Sequence, residues 1–190
     1  MSSNSTPAVH LPAGDPSAAR VSGCALFRRL EALAQAQPDT IAVGSATYRD
    51  LLDASLALAG YMQQRLGVRP GDHVLLMLED GESSAIATYA VARCSATAIA
   101  PDAHEDGAEI ARQTAAHGVQ VAIAPTGALP ALAPLLDDGS LYGCIVPGAV
   151  QYARPGVHDL AGAVAAGIAP VPLPAGHRSG DGCGYPDAAL

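Results

Sequence analysis

Two short apolar runs constrain this chain more than any other feature: residues 73–78 (HVLLML) and 96–100 (ATAIA), each placed after a segment of helical period. Gly71-Asp72 and Glu79-Asp80-Gly81 bound the first run, and Pro101-Asp102 closes the second. A run of five or six apolar residues between turn signals reads as a strand buried on both faces, because a helix needs about ten residues or more. Helix, strand, helix, strand in that order implies a right-handed crossover and neighbouring parallel strands. The expected class is therefore α/β, with a mostly parallel sheet flanked by helices.

The segments around these runs carry their own signals. Thr47 precedes Tyr48, Leu51, Leu52, Ser55, Ala59, Met62 and Leu66, which recur at three- and four-residue spacing and form one apolar stripe. Thr47 is placed as N-cap and Asp50 as its capping-box partner, while Gly67 and Pro70-Gly71 end the helix. Ser83 or Ser84 is predicted to cap the next helix, with Ile86, Tyr89, Ala90 and Arg93 or Cys94 facing inward. Upstream, residues 24–37 form an amphipathic helix with Leu26, Phe27, Leu30 and Leu33 on its buried side. A small hairpin over residues 40–47 follows it. Downstream, a helix over residues 110–117 ends at Gly118, residues 119–124 and 141–146 form two further strands, and residues 128–136 a short helix. Residues 157–166 are expected as one weak helix, and residues 169–190, without period, as a loose segment. The domain organisation expected is a flexible tail over residues 1–24, an α/β unit over 25–147, and an Ala/Gly/Pro-rich, weakly structured segment over 148–190.

Composition narrows the function. A chain of 190 residues suits one domain. A net charge of −8 argues against nucleic acid and anionic membranes as partners, since both need basic surfaces. All ten basic residues are Arg; the sequence contains no Lys. Cys24, Cys94, Cys144 and Cys183 are widely spaced and form no C-x-x-C pair, which reads as incidental thiols in a reducing compartment. No window holds the roughly 18 consecutive apolar residues of a membrane span, and no hydrophobic leader core precedes the first helix, so a cytoplasmic location is expected.

No residue qualifies as catalytic, cofactor-binding or metal-ligating. His104-Glu105-Asp106 are consecutive and point in different directions on a helix, which suits a solvated loop rather than a tetrahedral metal. His158-Asp159 lacks a nucleophile and is expected on the surface. His73 opens a strand, and Glu79-Asp80 and Asp137-Asp138 read as turn or cap residues. The Gly-rich run over residues 179–184 carries Asp181 and neither Lys nor Thr, so an anion is not drawn to it.

Four pieces in order give a further reading: ALFRRLEALAQAQPDTIAV (25–43), ATYRDL (46–51), LGVRPGDHVLLMLED (66–80) and ARCSATAIAPDA (92–103). Their order and spacing resemble the N-terminal subdomain of the AMP-dependent synthetase/ligase superfamily, which includes acyl-CoA synthetases and the adenylation domains of nonribosomal peptide synthetases. The resemblance is good over residues 25–125. It implies an ancestral chemistry in which a carboxylate and ATP, with Mg, give an acyl-adenylate and pyrophosphate. The phosphate loop of such proteins ends in Pro-Lys-Gly and is expected directly after the region seen here. Its Lys, and a second one in a C-terminal subdomain, have no counterpart in this chain, and Arg does not replace a compact ammonium. Arg93-Cys94-Ser95 stands where such proteins usually show Lys-Ala-Gly, and Glu79-Asp80 stands for Pro-Asn; the missing Gly implies a changed turn or relaxed packing. The resemblance thus implies a truncated homologue, not catalytic alone and with no cofactor of its own, acting through a protein partner or self-association at an apolar sheet face left uncovered. Alternative readings are a degenerate remnant, one half of a split carboxylate-adenylating ligase, and a small-ligand module.

Overall fold

The protein is represented by a computed structural model that describes residues 23–101, 107–148 and 154–173. Helix α1 (Gly23–Ala36) leads into a hairpin of β1 (Ile41–Val43) and β2 (Ala46–Thr47), paired antiparallel. Helix α2 (Tyr48–Arg65) starts where the hairpin ends, and its N-terminus carries the predicted capping box: the Asp50 amide donates to Thr47 Oγ1 at 3.2 Å and the Thr47 amide to Asp50 Oδ2 at 3.0 Å. That pairing satisfies two of the amides that a helix start leaves without partners; the Thr47 hydroxyl, donating to Asp50 Oδ2 at 2.6 Å, and after it the Thr47 amide hold the Asp50 carboxyl below its ordinary range. Leu51, Ser55, Leu58, Ala59 and Met62 form its buried stripe, four of the five on the predicted face.

Strands β3 (His73–Leu76), β4 (Thr97–Ile99), β5 (Val121–Ile123), β6 (Gly143–Val146) and β7 (Val157–Asp159) form one sheet in the order β4-β3-β5-β6-β7, every pair parallel. Helices α3 (Glu82–Arg93), α4 (Gly107–His117), α5 (Leu129–Asp137, after a single 3-10 turn) and α6 (Leu160–Ala165) connect or follow them. The chain steps outward from β3 to β4, then returns past β3 to β5. Right-handed crossovers therefore put α3 and α4 on opposite faces, a doubly wound arrangement.

Side chains alternate accordingly. Val74, Ala98, Val121, Ile123 and Ile145 pack with α1, α2, α3 and α6 in one core that includes Leu30, Leu58 and Met62. Leu75, Ala122, Ala124, Cys144 and Val146 pack with Ile110 of α4 and Leu132 and Leu135 of α5 in the other. The sheet face expected to lie bare is thus covered: among the described residues both faces carry helices. Leu75, Ala122 and Cys144 are inaccessible to solvent on the side that α4 and α5 cover.

Two expectations change. Helix α3 starts one residue after Gly81, ahead of both Ser83 and Ser84, and Gly81 makes no side-chain cap bond. Residues 157–159, expected as helix, are the edge strand β7, and only α6 beyond them is helical. A three-residue strand with His at its centre has no period of its own; pairing with β6 creates it. At the turn before β4, Ser95 has φ +54°, the left-handed conformation that a Gly would adopt freely. Residues 102–106 and 174–190, including His104-Glu105-Asp106 and the Gly-rich run, lie outside the described residues.

Cys94 and Cys144 are buried free thiols, and burial pushes both up to about 12. The thiolate is the reactive form. Alkylation of the native protein at pH 8 is therefore expected to leave both unmodified, and alkylation in denaturant to modify both. Peptide mapping by mass spectrometry reads this directly, and native labelling at either position would contradict the burial.

Candidate functional site

In a doubly wound sheet the place where ligands bind is the crevice outside the carboxyl ends of the strands, at the point where the strand order reverses. In this chain that point lies between β3 and β5. After Leu76 the chain continues through Met77, whose amide donates to the Ile123 carbonyl at 2.9 Å, to Leu78, Glu79, Asp80 and Gly81. After Ile123 the Ala124 amide donates to the Ile145 carbonyl at 3.0 Å, and Pro125 then turns the chain into Thr126 and Gly127. Glu79, Asp80 and Glu82 are all exposed at this edge. Glu79 and Asp80 precede α3 and Glu82 is its first residue, so acidic residues accumulate near a helix end that carries partial positive charge.

Two depressions lie near the amino ends of the strands. One, of about 10 Å³, is lined by residues that include Leu66, Asp72, His73, Gly118 and Gln120. The other, of about 240 Å³, lies between α4 and α5 against Thr114, Ala115, Val119 and Leu135. Pockets for drug-sized ligands run to roughly 300–1,000 Å³. The described residues also contain no group of three His, Cys, Asp or Glu side chains able to hold a metal.

The residues weighed from the sequence fall in separate places. His73 opens β3, with its ring 5.7 Å from that of His117. Asp138 accepts from the Ser140 amide at 2.8 Å in the turn after α5, and hydrogen bonding by the Ser140 side chain first, then by this amide, holds its carboxyl below the ordinary range. Asp137 pairs with Arg154 at 2.5 Å, tying the approach to β7 onto α5. Glu109 and Arg112 pair along α4. His158, expected on the surface, is half-buried: its Nδ1 lies 2.8 Å from the Tyr61 hydroxyl of α2, and the two rings meet edge to face. Asp159 caps α6 by accepting from the Gly162 amide at 2.8 Å.

Burial lowers the proton affinity of His158, so the neutral ring is the folded form and the Tyr61 hydroxyl can donate to its Nδ1. The linkage sign follows. The unfolded imidazole takes up a proton more readily, so the stabilisation is complete above about pH 6.5 and is lost as pH falls below it. The melting temperature is expected to drop less between pH 7.5 and 5.5 in His158→Gln than in the parent. Equal slopes in thermal denaturation would show that the ring is not held neutral.

Sequence reasoning missed a second cluster. Residues 168–173 run in extended form along α2: Gln64 Nε2 donates to the Ala169 carbonyl at 2.6 Å, and the Val171 amide to Gln63 Oε1 at 2.7 Å. Gly60 completes the track, since a Cβ there would stand 1.9 Å from the Ile168 carbonyl oxygen. The available signal was an isolated Gly within a helical pattern, which often marks a close approach.

With the topology in place, comparison with known proteins decides the family. The model of the AMP-binding enzyme family matches residues 30–155. The chain belongs to that family. Solved structures with the same fold include the anthranilate CoA ligase AuaEII in complex with anthranoyl-AMP, at TM-score 0.66 and 17% identity, over 77% of this chain and 28% of that one. A benzoate CoA ligase from Burkholderia xenovorans LB400 superposes at TM-score 0.65 and 17% identity, over 80% of this chain and 30% of that one. Mycobacterium smegmatis MbtA, in its apo form, does so at TM-score 0.65 and 21% identity, over 81% of this chain and 29% of that one. The chain therefore spans less than a third of the length of these three structures. No curated protein sequence matches it. The five-stranded parallel sheet with its flanking helices corresponds to the N-terminal subdomain of acyl-adenylating enzymes.

Proposed function

We propose that this chain supplies the N-terminal architecture of an acyl-adenylating enzyme and not its nucleotide site, so that it does not adenylate a carboxylate unaided. The observation that carries the reading is the acidic edge at the strand-order reversal. Glu79, Asp80 and Glu82 stand exposed where an anion would approach, in a chain without a single Lys. Phosphoryl chemistry needs cationic groups or a metal at the phosphates, and the side chains exposed at this edge are acidic. Membership of the AMP-binding family supports the ancestral reaction class, and ATP and Mg would belong to the complete catalytic unit. Catalysis is then expected to need further polypeptide, and the role of this chain is to bind it. The two buried free thiols support a reducing, cytoplasmic setting.

The test is ATP–pyrophosphate exchange with the purified chain, offered benzoate, anthranilate and fatty acids, the acids of the ligases it is similar to. Exchange is expected to stay at the level of buffer. Restoration by a complementing chain would identify the missing polypeptide, whereas exchange by this chain alone would overturn the proposal.

A further inference from the structure

The amino edge of the sheet brings together two imidazoles that nothing in the adenylating reading uses. His73 is the first residue of β3 and half-buried; His117 is the last residue of α4 and exposed. Their ring centroids lie 5.7 Å apart with planes inclined at 47°. With metal–nitrogen bonds of about 2.0–2.1 Å, two imidazoles on one tetrahedral or wider-angled metal have centroids about 5–6.5 Å apart. The observed separation lies inside that window without backbone movement.

The surroundings favour a cation. His117 sits at the carboxyl end of an eleven-residue helix, where the macrodipole is negative. Gly118 and Val119 close that end by donating to the Ala115 and Thr114 carbonyls at 3.3 and 2.9 Å. Beside His73 lies the small depression of about 10 Å³, the room one water needs, lined in part by Asp72 and Gln120. Asp72 Oδ2 accepts from the Arg69 amide at 2.8 Å, which holds that carboxylate in the turn before β3.

We propose that His73 and His117 form a two-imidazole site for a borderline divalent transition metal of the zinc–copper class, with water completing its coordination. Neutral imidazole suits such ions, whereas Mg and Ca prefer oxygen ligands. Two protein ligands make the site weaker than a structural zinc centre, and it lies at the edge of the sheet opposite the reversal point. Its consequence is mechanical: a bound metal ties the end of α4 to the start of β3.

The test uses the untagged full chain and Zn²⁺, titrated calorimetrically at pH 7.5 in a buffer that does not bind metal. One equivalent is expected to bind. His117→Gln and His73→Gln should each weaken binding at least tenfold, and the double variant should bind little more weakly than either. His117 is exposed at a helix end, so its variant should remain folded and its far-UV circular dichroism unchanged. A triple variant His10→Gln, His104→Gln, His177→Gln should bind as the parent does. Added Zn²⁺ should raise the melting temperature of the parent and of the triple variant, but not that of His117→Gln. Absence of binding in the parent overturns the proposal, as does equal affinity in the parent and His117→Gln, or loss of binding in the triple variant.

Discussion

Gly60→Ala is expected to destabilise the protein by about 2 kcal/mol, against the sign that helix propensity predicts. In an exposed helix interior the exchange gains about 1 kcal/mol. Here the added methyl would lie 1.9 Å from the Ile168 oxygen and 2.8 Å from the Ala169 carbonyl carbon, both backbone atoms that a side-chain rotation cannot clear. Overpacking costs about 1–3 kcal/mol, and displacing the segment adds the loss of the bonds from Gln64 and to Gln63, about 0.5–1.5 kcal/mol each. Those penalties outweigh the propensity gain. Urea denaturation gives the net value, and amide exchange at Val171 distinguishes release of the segment from a shift of α2. A stabilised variant with Val171 still protected would show that the segment does not dock on Gly60.

Ser95→Val is expected to cost about 3 kcal/mol, whereas Ser95→Gly should stay within about 1 kcal/mol of the parent. Ser95 is 1% exposed and has φ +54° between Cys94 and the strand β4. A left-handed residue other than Gly carries about 1–2 kcal/mol of steric strain. A β-branched side chain raises that strain and must also fit a packed site. Glycine removes the strain and the Ser side-chain contacts together, so its two effects oppose each other. The backbone conformation matters beyond the turn, because the Ser95 carbonyl accepts from the Gly71 amide at 2.9 Å and so sets the approach to β3. Thermal denaturation of the three proteins should rank Val well below the other two. A Val variant as stable as the parent would mean that the turn relaxes out of the left-handed region.

The turn at Ser95 shows why one residue type is a poor guide to conformation. A Ser holds the left-handed conformation there although a Gly would adopt it without strain, and bonds beside the turn fix its ends: Ala96 donates to the Val91 carbonyl at 3.2 Å and Thr97 to the Asp72 carbonyl at 2.8 Å. Similarly, β7 was not legible because Val157-His158-Asp159 carries no alternation, and its strand character exists only through pairing with Cys144, Ile145 and Val146. His158 was read as a surface residue because the His-Asp pair lacks a nucleophile, and its contact with Tyr61 spans 97 positions of sequence. The reversal-point edge fared better: Glu79 and Asp80 were placed in a turn, and they are exposed there.

What the sequence determined by itself was local and periodic. Thr47 and Asp50 three residues apart specify a capping box, Gly118 a helix end, and short apolar runs specify buried strands, because each is decided by neighbours within one or two turns of chain. The direction of the sheet also followed, since right-handed crossovers leave little choice. The tertiary structure alone decided which faces are covered, the edge strand β7, the track of residues 168–173 over Gly60, and the meeting of His73 with His117. Each of these depends on contacts between residues far apart in the chain, and no periodicity or propensity records a contact whose partner is forty or a hundred positions away.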